Sequence, residues 1–160
     1  MIRVGVTGHM NITADTAALV YAGITERLAG LGAGPDLTGV SCLARGADSV
    51  FAQAVLDAGG RLEVVLPSRT YRQRKVAADY APLFDELLGR ADPVRVMDFD
   101  ESGVAAYEAA NEVMLASCDR LVAVWDGQAG DPGGTGSVVA LARARGLTVD
   151  IVWPDGAARG

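Results

Sequence analysis

Short apolar runs recur along this chain, and between them lie stretches whose apolar residues fall at helical spacing. Runs at 2–7, 37–42, 62–66, 94–97, 120–125 and 147–153 read as strands. Periodic stretches at 13–31, 47–58, 104–117 and about 137–145 read as helices, and 68–91 reads as a loop followed by one or two helices before Gly89. A strand apolar on both faces needs cover on both sides, and parallel strands need long, usually helical, crossovers. The alternation therefore predicts one α/β domain over residues 1–160, a Rossmann-like, doubly wound, mainly parallel sheet of about six strands with helices on both faces. Leu19, Tyr21, Ile24 and Leu28 are the expected inner face of the first helix. Val50, Phe51, Ala54 and Val55 serve the second, Leu83, Phe84, Leu87 and Leu88 a helix before Gly89, and Ala105, Met114 and Leu115 that at 104–117.

Charge narrows the partners. The net charge of −6 disfavours general attraction to a nucleic-acid backbone, so any phosphate contact has to be local. Cys42 and Cys118 lack metal-ligand or disulfide spacing and are expected as buried free thiols; no metal site is expected. No apolar run approaches the ~20 residues of a membrane span, and the start lacks a secretory pattern, so a cytoplasmic location is expected. In that setting "NIT" at 11–13 reads as a helix entry.

In an open parallel sheet, ligands bind beyond the carboxyl ends of the strands. Three loops fall there. "VTGHMN" places Thr7, Gly8 and the single histidine, His9, after the first strand. It is not a GxGxxG fingerprint, and no acidic residue ends the second strand, which disfavours dinucleotide binding. His9 is a candidate ligand contact, although a lone histidine beside a turn is more often a capping or packing residue. "SCLARGADS" brings Arg45, Gly46 and Asp48 to the start of a helix, where unpaired amides suit an anion. Asp48 reads either as a ribose contact or as an ordinary first-turn carboxylate, and Arg45 as an anion ligand or a solvated charge. "GDPGGTGS" supplies Gly133, Gly134, Thr135, Gly136 and Ser137 ahead of an apolar helix, a phosphate-cradling arrangement without the lysine of a nucleotide-hydrolysing P-loop. The run "PSRTYRQRK" adds Arg69, Arg72, Arg74 and Lys75, a further candidate attractor of phosphate or a solvated helix face.

Taken in order, "VTGH" (6–9), "LARGAD" (43–48), "AANEVMLASCDRLVAVWDG" (109–127) and "PGGTGS" (132–137) resemble the superfamily that joins the plant LOG cytokinin-activating enzymes, the DNA-processing protein DprA and the SLOG nucleotide-sensing domains. The resemblance implies a Rossmann-like fold, a site for a nucleotide or nucleotide-derived ligand, and commonly a homodimer. LOG enzymes cleave the N-glycosidic bond of nucleoside monophosphates with paired glutamates after a PGGxGT turn. Here those positions hold Val139 and Ala140, and the family's arginine position holds Ala110, with Asn111 beside it. A valine cannot stabilise an oxocarbenium-like transition state, so no catalytic residue is assigned.

The expected function is therefore binding of a small-molecule nucleotide without LOG-type catalysis, with Asn111 and Asp126 as candidate ribose or base contacts and Trp125 as a candidate stacking surface. No cofactor is assigned beyond that ligand, and no membrane partner is expected. The alternative is a phosphoribohydrolase with a relocated carboxylate drawn from Asp48, Glu108, Glu112 or Asp126. Nucleic-acid binding is disfavoured by the acidic charge.

Overall fold

A computed structural model describes residues 1–32, 34–130 and 134–160. The strands are β1 (Ile2–Gly8), β2 (Leu37–Ser41), β3 (Arg61–Leu66), β4 (Val94–Val96), β5 (Arg120–Val124) and β6 (Thr148–Ile151). The helices are α1 (Ala14–Gly30), α2 (Ala47–Asp57), α3 (Tyr71–Arg74), α4 (Ala81–Gly89), α5 (Val104–Ser117) and α6 (Thr135–Ala144). All strand pairs are parallel, in the order β4-β3-β2-β1-β5-β6, so the expected sheet and its covering helices are present.

The sheet is sealed by three apolar clusters. Val4, Val6 and Val122 pack with Val20, Ile24 and Leu28 of α1 and Phe51 and Val55 of α2. Val40 and Leu121 pack with Met114 of α5 and Val138 and Ala142 of α6. Leu62, Val64 and Leu66 meet Phe84 and Leu87 of α4 with Tyr71 and Tyr80. Burying each such side chain contributes about 1.5 to 3 kcal/mol.

The inner face of α1 is Thr16, Val20, Ile24 and Leu28, with Leu19 exposed and Tyr21 half-buried. Ala105 of α5 is likewise exposed, its buried residues being Ala106, Ala110, Met114 and Leu115. In both helices the difference is confined to the edge of the expected face, since Ile24, Leu28, Met114 and Leu115 are buried as expected. Thr13 caps α1 by accepting from Thr16 N–H at 3.1 Å, as the "NIT" entry predicted. α6 opens at Thr135, two residues earlier than expected. Cys118 is buried and Cys42 half-buried, both as free thiols.

Two glycines of the first loops are spent on packing. A Cβ on Gly8 would overlap Ala47 Cβ and stand 2.8 Å from Val124 Cβ. Gly46 has φ +79, and a Cβ there would stand 2.7 Å from the His9 carbonyl oxygen and 2.6 Å from that of Met10. These positions let α2 approach β1 closely enough for Ala47 N–H to donate to His9 O at 3.2 Å.

Candidate functional site

The chain winds outward from β1 through β2, β3 and β4, then returns across the sheet to β5 and β6. The reversal makes the carboxyl ends of β1 and β5 the switch point where such sheets bind ligands. Thr7 and Gly8 pair with Ala123 and Val124 at this edge. His9 N–H donates to Val124 O at 3.1 Å, and Asp126 N–H donates to His9 Nε2 at 3.1 Å. A ring nitrogen that accepts from an amide carries no proton, so the 3.2 Å approach of His9 Nε2 to Asp126 Oδ1 is a neutral contact rather than an ion pair. Burial, reinforced by Arg159, pushes the His9 pKa down and favours that neutral form. The ring meets Trp153 edge-on, with centroids 5.6 Å apart. His9 thus clamps the β1 and β5 loops together. Asp126 is held below the usual carboxylate range by Gln128 N–H, helped by Arg159.

The first-helix site used by dinucleotide-binding folds is closed in this chain. Residues 157–160 fold back over the entry to α1, where Thr13 N–H donates to Ala158 O and Ala158 N–H donates to Thr16 Oγ1 at 2.8 Å. Arg159 donates to Asn11 Oδ1 at 2.9 Å and reaches to 3.7 Å from Asp126 Oδ2. Sequence reasoning missed this tail. Nothing in its local pattern says that Arg159 returns to a loop 148 residues earlier.

At the second loop, Arg45 donates to Asp79 Oδ2 at 2.8 Å on the exposed surface. Asp48 lies inside, 8 % exposed, where its Oδ2 accepts from Ala44 N–H at 3.3 Å. Burial pushes its pKa up to about 7, against the opposing effect of the Ala44 bond. Leu43 just before it holds φ +55, a rare conformation for a branched side chain, and its carbonyl accepts from the Tyr80 hydroxyl at 2.9 Å.

At the third loop, Gly133, together with Pro132, lies outside the described residues. Gly134 is the extended N-cap of α6 and has no side chain to cap it, so among the described residues the first-turn amides of Thr135, Gly136 and Ser137 have no hydrogen-bond partner. A cavity of about 380 Å³ opens here, lined by Trp125, Gly127, Ala129, Gly130, Gly136, Ser137 and Ala140. Trp125 Nε1 donates to Gln128 O at 3.0 Å, which fixes the indole as one wall. Asn111 stands half-buried on α5, apart from the described lining.

The three arginines of the basic run are matched by carboxylates, and among the described residues Lys75 has no ion pair. Arg69 pairs with Asp98 and Asp100, Arg72 with Asp85, and Arg74 with Glu101. With Ser68 Oγ against Ser102 Oγ at 2.6 Å, these contacts join the loops after β3 and β4. The arginines therefore tie loops together instead of presenting free charge. Glu112 similarly pairs with Arg145. Among the described residues no three His, Cys, Asp or Glu side chains gather as metal ligands, and no helix is long and apolar enough to cross a membrane.

The chain matches no protein-family model and no curated protein sequence. Its fold is shared with solved structures. DNA processing protein A (DprA) from Streptococcus pneumoniae superposes with TM-score 0.71 and 21 % identity, over 94 % of this chain and 50 % of that one. DNA processing protein A from Helicobacter pylori, described for its single-stranded DNA binding mode, gives 0.65 and 18 % over 94 % and 64 %. The molybdenum cofactor carrier protein of Chlamydomonas reinhardtii gives 0.58 and 18 % over 94 % and 75 %. The chain spans half the length of the first and under two thirds of the second. The fold that the ordered motifs imply is borne out: the chain has a Rossmann-like architecture similar to that of DprA.

Proposed function

We propose that the protein binds a nucleotide or nucleotide-derived ligand along the carboxyl edge of its sheet, with the phosphate on the uncapped first turn of α6. The observation that carries this reading is the cavity between Trp125 and residues Gly136 to Ser137, next to the switch point. Unpartnered amides and the positive end of the helix dipole favour an anion there without any lysine or arginine. The flat indole wall suits a planar ring. Thr7, Gly8 and His9 then act as the scaffold that sets the loop positions, while Asp48 and Asn111 remain the candidates nearest the ligand's polar parts. Absence of carboxylates at Val139 and Ala140 argues for holding the ligand rather than cleaving it, and homodimerisation belongs to the same reading.

Isothermal titration with AMP, GMP, CMP and UMP tests the proposal. Ser137→Asp places a negative charge where it favours the helix and repels a phosphate, so the variant keeps its fold and loses binding at least tenfold. No saturable binding of any of the four by the wild-type chain ends the reading.

A second reading, binding of single-stranded nucleic acid, is favoured by the DprA neighbours, one of which is described for that property. The matched arginines and the charge of −6 oppose it. Fluorescence polarisation with an oligo-dT strand at low salt separates the two, since salt-sensitive binding to the strand belongs only to this second reading.

A further inference from the structure

Residues 157–160 are held at the carboxyl edge by contacts of two kinds. The backbone part is a short antiparallel bridge between Ile12 and Arg159, with Thr13 N–H donating to Ala158 O at 3.3 Å, Ala158 N–H to Thr16 Oγ1 at 2.8 Å and Asn11 Nδ2 to Gly160 O at 3.2 Å. A turn at 154–157, where Ala157 N–H donates to Pro154 O and Gly156 holds φ +88, feeds this strap over α1. The charged part is Arg159, which donates to Asn11 Oδ1 at 2.9 Å and lies 3.7 Å from Asp126 Oδ2. The other oxygen of that carboxylate, Oδ1, lies 3.2 Å from His9 Nε2. One carboxylate thus stands between the strap's cation and the chain's single histidine.

We infer that His9, Asp126 and Arg159 form a proton-operated latch on residues 157–160, closed while His9 is neutral and loosened when it is protonated. In the neutral ring Nε2 accepts from Asp126 N–H, which leaves the carboxylate charge to Arg159. A proton on Nε2 turns that acceptor into a donor. It can no longer face the amide, and Asp126 Oδ1 is the acceptor within its reach. Two cations then share one carboxylate, and the half-exposed guanidinium is the one that water takes. The groups that face the ring all favour this outcome or leave it unchanged. Asp126 comes from the loop after β5, Arg159 from the strap, and the positive N-terminal end of α2 through Ala47 N–H on His9 O, while the segment after β6 offers the uncharged Trp153 ring. Burial and then Arg159 lower the His9 pKa, against the pull of Asp126. By linkage, a proton on His9 weakens the hold on Arg159 as much as Arg159 opposes that proton. Asp126 itself is held below the carboxylate range and stays charged throughout the histidine's titration. Loosening the strap uncovers the start of α1, beside the switch point.

Nuclear magnetic resonance on the full chain reads both halves of the latch. The single imidazole gives the His9 titration, and the exchange protection factor of Ala158 N–H, corrected for the intrinsic effect of pH, gives strap opening. Protection at Ala158 falls by about threefold to tenfold at the midpoint of the His9 titration. Val64 N–H, bonded to Pro93 O away from the strap, keeps its protection over the same range. His9→Gln supplies an oxygen that can accept from Asp126 N–H but cannot titrate, so protection at Ala158 becomes flat with pH. Arg159→Gln reads the reverse coupling and raises the His9 pKa; this surface change keeps the test decisive if His9→Gln folds poorly. Wild-type protection at Ala158 that ignores the His9 titration overturns the latch. So does a His9 pKa that Arg159→Gln leaves in place, or loss of protection at Ala158 and Val64 together, which is global unfolding.

Discussion

Gly8→Ala probes whether the first loop's glycine serves a ligand or the packing of the fold. The added methyl would overlap Ala47 Cβ and sit 2.8 Å from Val124 Cβ and 3.0 Å from Val124 O, whereas unstrained carbon contacts lie near 3.5 to 4.0 Å. Overpacking of this kind costs about 1 to 3 kcal/mol. The upper end applies, because α2 cannot slide away while Ala47 N–H is bonded to His9 O and Gly46 rests on the His9 and Met10 carbonyls. Urea denaturation followed by circular dichroism reads the loss as a midpoint lowered by about 1 M or more, at unchanged slope of a few kcal/mol/M. Ala47→Gly removes the worst contact. Alone it costs about 1 to 2 kcal/mol in helix propensity and a lost buried methyl. With Gly8→Ala it yields a double variant more stable than the sum of the singles predicts by about 1 kcal/mol or more. The Val124 contacts keep the rescue incomplete. If Gly8→Ala is within about 0.5 kcal/mol of wild type, or the two changes simply add, the assignment of Gly8 to packing is wrong.

Asp48→Asn alters the pH dependence of stability. A carboxyl at about 7 in the fold against 3.8 unfolded holds its proton longer in the folded state, so wild-type stability falls as pH rises between those values. The variant lacks this decline, on the order of 4 kcal/mol, and parallel pH-dependent melts of the two proteins would show no divergence if the carboxyl were ordinary. His9→Ala removes the acceptor of Asp126 N–H and costs about 1 to 3 kcal/mol at pH 8. Because the folded His9 pKa is depressed, that contribution is complete above about 6.5 and fades as acid protonates the ring, so a variant deficit that grows towards pH 5 contradicts the clamp. Thr13→Ala lowers stability by about 1 kcal/mol through the lost α1 cap, readable as a small shift in melting temperature. Arg69→Ala, though it breaks two ion pairs, leaves the melting temperature nearly unchanged because its partners are almost fully exposed; a larger loss in 0.5 M salt would contradict surface screening.

Much of the fold was legible because its signals are local. Apolar runs such as 62–66 and 120–125 have no polar face to give to water, which forces helices onto both sides of the sheet, and Thr13 announces the entry to α1 through chemistry confined to four residues. The start of α6 was legible for the same reason, since small residues ahead of an apolar periodic run mark a helix entry. Other readings depended on partners distant in the chain. Arg69, Arg72 and Arg74 look like a basic patch until Asp98, Asp100, Glu101 and Asp85 are brought beside them. Gly8 looks like an approach for a ligand until Ala47 is placed against it.

By itself, then, the sequence determined a parallel α/β sheet and the loops that crowd its carboxyl edge, since hydrophobic period and capping act over a few residues. Tertiary structure alone decided which of those loops is open. Residues 157–160 cover the start of α1, His9 is consumed in clamping Asp126, and the Tyr80 hydroxyl is carried to the Leu43 carbonyl. Burial, desolvation and hydrogen-bond satisfaction depend on what else occupies the space around a group, and that is fixed only when the whole chain has folded.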